Sequence, residues 1–180
     1  MLPLEQLHNS NVDFDIAKEA LAQSEKRLID ALDVKKAVEQ KATVLFGAYV
    51  TISLALLGIG AALVRDAILG ASPLPFFIAG AFFIVGAAAF AFVFRSAEYG
   101  NLGSEPSMWL RAGVIDGDKR EFARMLAYLA HHHQNRIAVS YKSNESKSRS
   151  LHFGMMMGVL GAGALLLAAL ITYCPFAIRP

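Results

Sequence analysis

Three consecutive histidines, His131-His132-His133, are the densest set of metal-capable side chains in the chain. Consecutive helical residues point about 100° apart, so three in a row cannot converge on one ion. A zinc site needs i, i+4 spacing or a ligand from a second element, and the only other histidines are His8 and His152. No metal and no cofactor is expected. Arg120, Arg124 and Arg136 are the cations that a nucleotide or a partner protein would use. Their plainer reading is a solvated helix face, and a nucleic-acid partner is not expected. Gly58-Ile-Gly60 opens like a dinucleotide fingerprint, but no strand precedes it and it sits in an apolar run, so it is rejected. The one cysteine, Cys174, permits no intramolecular disulfide and reads as a small interfacial residue.

The remaining polar chemistry lies inside apolar sequence. Thr51 and Ser53, with Tyr49 beside them, are the candidates to line a conducting path. The competing reading is that both hydroxyls bond their own helix backbone. Gly154-Met-Met-Met-Gly158 is a GxxxG pattern, extended by Gly161 and Ala162. Small residues three and four apart let helix backbones approach closely in lipid, so these four mark a helix–helix contact, within the chain or between copies.

The elements that must position these residues are set by three runs without Asp, Glu, Lys, Arg or His: Thr43–Val64, Leu74–Phe94 and Phe153–Tyr173. Each is long enough, at about 1.5 Å per residue, to cross the roughly 30 Å hydrocarbon core as a helix. A mean hydropathy of +0.43 and 55 % hydrophobic residues agree with lipid as the solvent for these runs. The expected fold is an all-α membrane protein with three transmembrane helices. No segment alternates with period two, so no sheet is expected. Pumps and ion-coupled transporters almost always place an ionisable group inside the membrane, and these spans hold none. There is also no inverted pair of broken helices.

Basic residues set the expected orientation. Residues 1–42 carry six and 95–152 carry nine, whereas 65–73 and the tail, 174–180, carry one each. The positive-inside rule places 1–42 and 95–152 in the cytoplasm and the turn and tail outside. Lys147 and Arg149 then read as anchors at the lipid headgroups. The leading residues lack a basic segment and an apolar core, so the first span is expected to act as its own insertion signal.

Residues 1–12 read as a lead-in, with Asn11 or Asp13 as the cap of the helix that follows. From Phe14 no Gly or Pro intervenes until Gly47, so this helix is expected to run on into the first span as one rod. Its apolar stripe is Ile16, Ala20, Leu21, Leu28, Leu32 and Val38, interrupted by Ser24, Glu25 and Lys35. Gly70, Pro73 and Pro75 make the outer turn. Gly100, Gly103 and Pro106 mark a loop, with a short helix to Ala112 carrying Trp109. Asp116-Gly-Asp118 reads as a turn and N-cap for a second long helix, which feeds the third span. Its expected stripe is Phe122, Leu126, Leu129, His133, Ile137 and Tyr141. Such thin stripes need a neighbouring helix to be stable.

Two resemblances follow from these residues. Glu39-Gln-Lys41-Ala42-Thr43-Val44-Leu45 looks like the acidic-x-Lys-Ala-Ser/Thr-Ile/Val-Leu lead into the first span of the Pycsar-type transmembrane effector family. Glu39 stands where Asp is usual and Thr43 where Ser is usual. The layout is also similar: an N-terminal helix, a span pair, a helical insert and a last span preceded by a basic helix. The resemblance implies an anti-phage effector of the prokaryotic inner membrane, a homo-oligomer that breaches the bilayer when a cytoplasmic protein or a cyclic nucleotide signals infection. No separate cyclic-nucleotide domain is visible. Small membrane accessory proteins of CRISPR systems share this size and layout. Separately, Arg124 and His131 resemble the Arg-x(4–6)-His pair of HEPN ribonucleases, without any other feature of that family.

Overall fold

The computed structural model describes residues 12–66, 72–95, 110 and 117–173. All regular structure among them is helical: α1 (Phe14–Asp66), α2 (Leu74–Val93) and α3 (Lys119–Tyr173). All three helices are long and apolar enough to cross a membrane, which makes this a multi-pass membrane protein. The expected lead-in with Asn11, Gly70 of the outer turn, the loop glycines, Pro106, Trp109, Arg111, Asp116 and the tail with Cys174 lie outside the described residues.

Local chemistry explains the helix ends. Asp13 caps α1, accepting hydrogen bonds from the Asp15 and Ile16 amides at 2.9 and 3.2 Å. Asp118 caps α3 through the Arg120 amide at 2.9 Å, and Gly117 before it takes φ 77°, a region costly for other residues. Pro73 and Pro75 open α2, where an amide hydrogen is not needed. Neither long helix meets a proline in its interior, and α1 runs 53 residues and α3 55 without a break.

The chain divides into two compact units, Met1–Lys36 with Ala97–Glu145, and Ala37–Ser96 with Ser146–Pro180. In the first, α1 and α3 pack side by side in the same direction. Ser24 meets His133 and Ala31 meets Asn144. Its core joins Ala17 to Ala123, Met125, Leu126 and Leu129, and Phe14 stacks on Phe122 with ring centroids 5.7 Å apart. The inward positions of α1 are Ala17, Leu21, Ser24, Leu28 and Ala31, a strict 4–3–4–3 spacing. That is the coiled-coil period. The expected stripes coincide with this seam at Leu21, Leu28, Leu126, Leu129, His133 and Ile137 and leave it at three positions: Ile16 is 70 % exposed, Ala20 is exposed, and on α3 Tyr141 is 52 % exposed. The seam passes through small and polar residues that a search for bulky apolar ones overlooks.

In the second unit α2 runs against α1 and α3, so the three helices go up, down and up. Ala42, Phe90, Val93 and Leu151 form one core cluster and Leu56, Ala79 and Phe83 another. Inward spacing on α3 is again regular: Lys147, Leu151, Gly154, Gly158 and Gly161.

Candidate functional site

Polar groups line the seam of the first unit. The Asn144 side-chain amide donates to the Ala31 carbonyl of α1 at 2.8 Å, a buried cross-helix bond. Ser140 is fully buried, and its hydroxyl has no partner. About two turns earlier His133 is 3 % exposed. The Ser24 hydroxyl donates to the Leu21 carbonyl at 2.7 Å. Its oxygen therefore faces His133 Nδ1, 3.3 Å away, as an acceptor. That assigns the ring proton to Nδ1 and leaves Nε2 buried without a partner.

Burial pushes the His133 imidazole below its ordinary range; the Glu25 carboxylate pulls it up, and the Arg136 and His132 side chains add to the depression. A depressed imidazole resists protonation in the folded state more than in the unfolded one. The stability it confers is therefore complete above the unfolded value and lost as pH falls towards the folded one. Acidification from about pH 7 to about pH 5 is expected to lower the melting temperature of the helical signal, and His133→Leu should remove part of that fall. A melting temperature with the same pH response in both proteins would refute this.

The other two histidines diverge as helix geometry demands. His132 Nε2 lies 3.0 Å from the Tyr128 hydroxyl, and His131 is half-buried away from both neighbours' contacts. Among the described residues no group of three His, Cys, Asp or Glu side chains converges on a point. The three arginines are not gathered either. Arg120 is exposed, Arg124 is paired with Glu121 at 3.0 Å, and Arg136 is half-buried. Arg120 and Arg136 are separated along one helix by roughly 24 Å at 1.5 Å per residue. No hydrogen bond links Arg124 to His131.

At the head of the second unit stands an ion pair. Lys147 Nζ lies 2.6 Å from Glu39 Oε1, with the lysine side chain 7 % exposed and the glutamate 31 %. Lys147 is thus turned inward rather than toward headgroups, which differs from the anchor reading. The seam's 3–4 spacing carries the 147 position onto the α1-facing side, where Glu39 meets it. Ala42 follows Glu39 by one turn and is fully buried against Phe90, Val93 and Leu151. Lys41 points to the exposed side. The seven-residue stretch therefore splits into an inward pair, Glu39 and Ala42, and an outward cation.

Deeper in the same unit, Tyr49 is the keystone of the spans. Its ring makes edge contacts with Phe83 (centroids 5.0 Å, 76°) and Phe90 (4.9 Å, 68°). Glycines make room for it. A Cβ on Gly86 would stand 2.8 Å from the Tyr49 ring and 3.0 Å from the Gly154 carbonyl, and one on Gly158 would fall on the Tyr49 hydroxyl. A Cβ on Gly154 would strike the Phe90 ring, and one on Gly161 would crowd Phe83 at 3.0 Å. Gly154, Gly158 and Gly161 thus face α1 and α2 of their own chain, while Ala162 is exposed and does not join them. Thr51 is exposed and its hydroxyl donates to the Gly47 carbonyl at 3.0 Å; Ser53 is buried and donates to the Val50 carbonyl at 2.9 Å. Gly60, of the rejected fingerprint, packs on the face of Phe77.

Comparison with protein-family models, with curated proteins and with solved structures gave no match. Sequence reading passed over Asn144, Ser140 and the Glu39–Lys147 pair. The signal that would have found them is the seven-residue spacing of small and polar positions, which runs parallel to the apolar one.

Proposed function

We propose that this chain is an oligomeric inner-membrane effector of prokaryotic anti-phage defence, which permeabilises the membrane when triggered. The observation that carries the reading is the build of α1 and α3. Each joins a polar, water-compatible helical segment to an uncharged span of membrane length with no break in the helix. A rearrangement of the polar segment reaches the span through continuous backbone hydrogen bonds. The resemblance of Glu39, Lys41 and Ala42 to the effector motif supports the same class. In this reading residues 1–42 and 95–152 are cytoplasmic, the chain ends outside, and the protein is not an enzyme. A cytoplasmic protein or a cyclic nucleotide acts as trigger on the first unit, with Arg120, Arg124 and Arg136 as contacts. Thr51 and Ser53 line the path in the assembled oligomer, with Tyr49 behind them.

A second reading is a non-conducting scaffold whose polar helices recruit a soluble partner. It is favoured by the Thr51 and Ser53 hydroxyls, which are satisfied by their own helix, and by Tyr49, which is packed among aromatics. One experiment separates the two. Overexpression of an effector depolarises cells and admits a membrane-impermeant dye, and deletion of residues 1–38 abolishes both effects. A scaffold leaves the potential intact with or without phage, and that outcome would overturn the first reading.

A further inference from the structure

Between α1 and α3 of the second unit lies an open groove of about 750 Å³, within the roughly 300–1,000 Å³ of small-ligand sites. Towards the uncharged runs its wall is Val44, Leu45, Leu151 and Met155; Lys41 and His152 stand midway along it, with Val38, Gln40 and Ser148 beyond them. Lys41 and His152 are the last ionisable residues on their helices before the uncharged runs begin at Thr43 and Phe153. The groove therefore changes from charged to apolar at the same level on both helices. That is the polarity profile of a phospholipid at a membrane surface.

Charge narrows the ligand. Lys147 and Lys36 are taken by Glu39 and Asp33, but Lys41 has no carboxylate partner among the described residues. The His152 Nδ1–H donates to the Ser148 carbonyl at 2.9 Å, which leaves Nε2 as the ring atom open to a ligand. A cation without a counter-ion above an apolar wall fits a headgroup of net negative charge better than a zwitterion, whose own ammonium already neutralises its phosphate. We infer that the groove binds an anionic phospholipid, with the phosphate at Lys41 and an acyl chain along Leu45, Leu151 and Met155. The inference rests on residues 43–64 and 153–173 being spans, but not on the protein being an effector.

The test is native mass spectrometry of the full chain in detergent, titrated with phosphatidylglycerol or phosphatidylcholine. One basic residue near an anionic lipid surface is worth about fivefold in affinity. The wild type should retain phosphatidylglycerol about fivefold more than phosphatidylcholine. Lys41→Gln should bring the two lipids to parity, Lys41→Arg should keep the preference, and Val44→Trp, which fills the groove from an exposed position, should reduce both adducts. Equal retention of the two lipids by the wild type would overturn the inference, as would a preference untouched by Lys41→Gln. So would a dimer that Val44→Trp converts to monomer, because the groove would then belong to a second copy. Failure of dye uptake would leave this result unaffected.

Discussion

Lys147→Ala is expected to destabilise the protein by about 2–4 kcal/mol, with its partner Glu39 one of the two largest truncation effects outside the spans. Removing one member of a buried pair strands the other charge, which costs about 3–5 kcal/mol when both are fully enclosed. Glu39 is 31 % exposed, so solvent recovers part of that loss. Glu39→Ala should cost a comparable amount, because it removes the carboxylate that the more deeply buried ammonium meets. The double variant Lys147→Met, Glu39→Leu should recover much of the loss, since two apolar side chains of similar volume leave neither charge of the pair stranded. Thermal melting of the detergent-solubilised wild type, both single variants and the double variant reads these differences. Additive single losses, with no recovery in the double variant, would show that the 2.6 Å contact holds nothing together.

The second large effect is expected at Gly158. Alanine there places a methyl group on the Tyr49 hydroxyl. The ring cannot swing clear, because Phe83 and Phe90 stand against it. Overpacking of this kind costs about 1–3 kcal/mol. Between membrane helices little hydrophobic driving force exists to compensate, so close packing is what associates them. Tyr49→Phe in the Gly158→Ala background should restore part of the loss, because it deletes the atom that the methyl meets. Gly163 is the control. Nothing lies within 4 Å of a Cβ there, and alanine should be neutral or add up to about 1 kcal/mol through helix propensity. Equal behaviour of Gly158→Ala and Gly163→Ala would contradict the packing described for Tyr49.

Much of the architecture was legible in the residues because it is written locally. The uncharged runs marked the spans. Asp13 and Asp118 announced their helices, and the long absence of Gly and Pro foretold α1 and α3 as unbroken. The second run was placed at 74–94, and α2 is Leu74–Val93 with Phe94 as its cap. The inward face was harder. Hydropathy weighs bulk, and so it draws Ile16 and Tyr141, which solvent bathes, onto stripes whose members Leu28, Leu126, Leu129 and Ile137 do face inward. The seam is built from Ala17, Ser24, Ala31, Ser140 and Asn144, whose value lies in closeness and in cross-helix bonds. Those bonds join residues 108 to 113 positions apart, a distance at which one sequence carries no pairing signal. Lys147 misled for the same reason. A lysine beside a span reads as a headgroup anchor until the glutamate opposite it is known. The glycines of α3 were read as a contact surface, but the partner rings, Tyr49, Phe83 and Phe90, come from two other helices and are not marked by spacing on α3.

Partition of the expressed chain under alkaline carbonate tests most directly whether these helices live in lipid. The protein should stay in the membrane pellet after the wash, enter solution only with detergent, and aggregate when the detergent is withdrawn. A chain released by carbonate, and dispersed in plain buffer with α1, α2 and α3 intact, would contradict the account at its root.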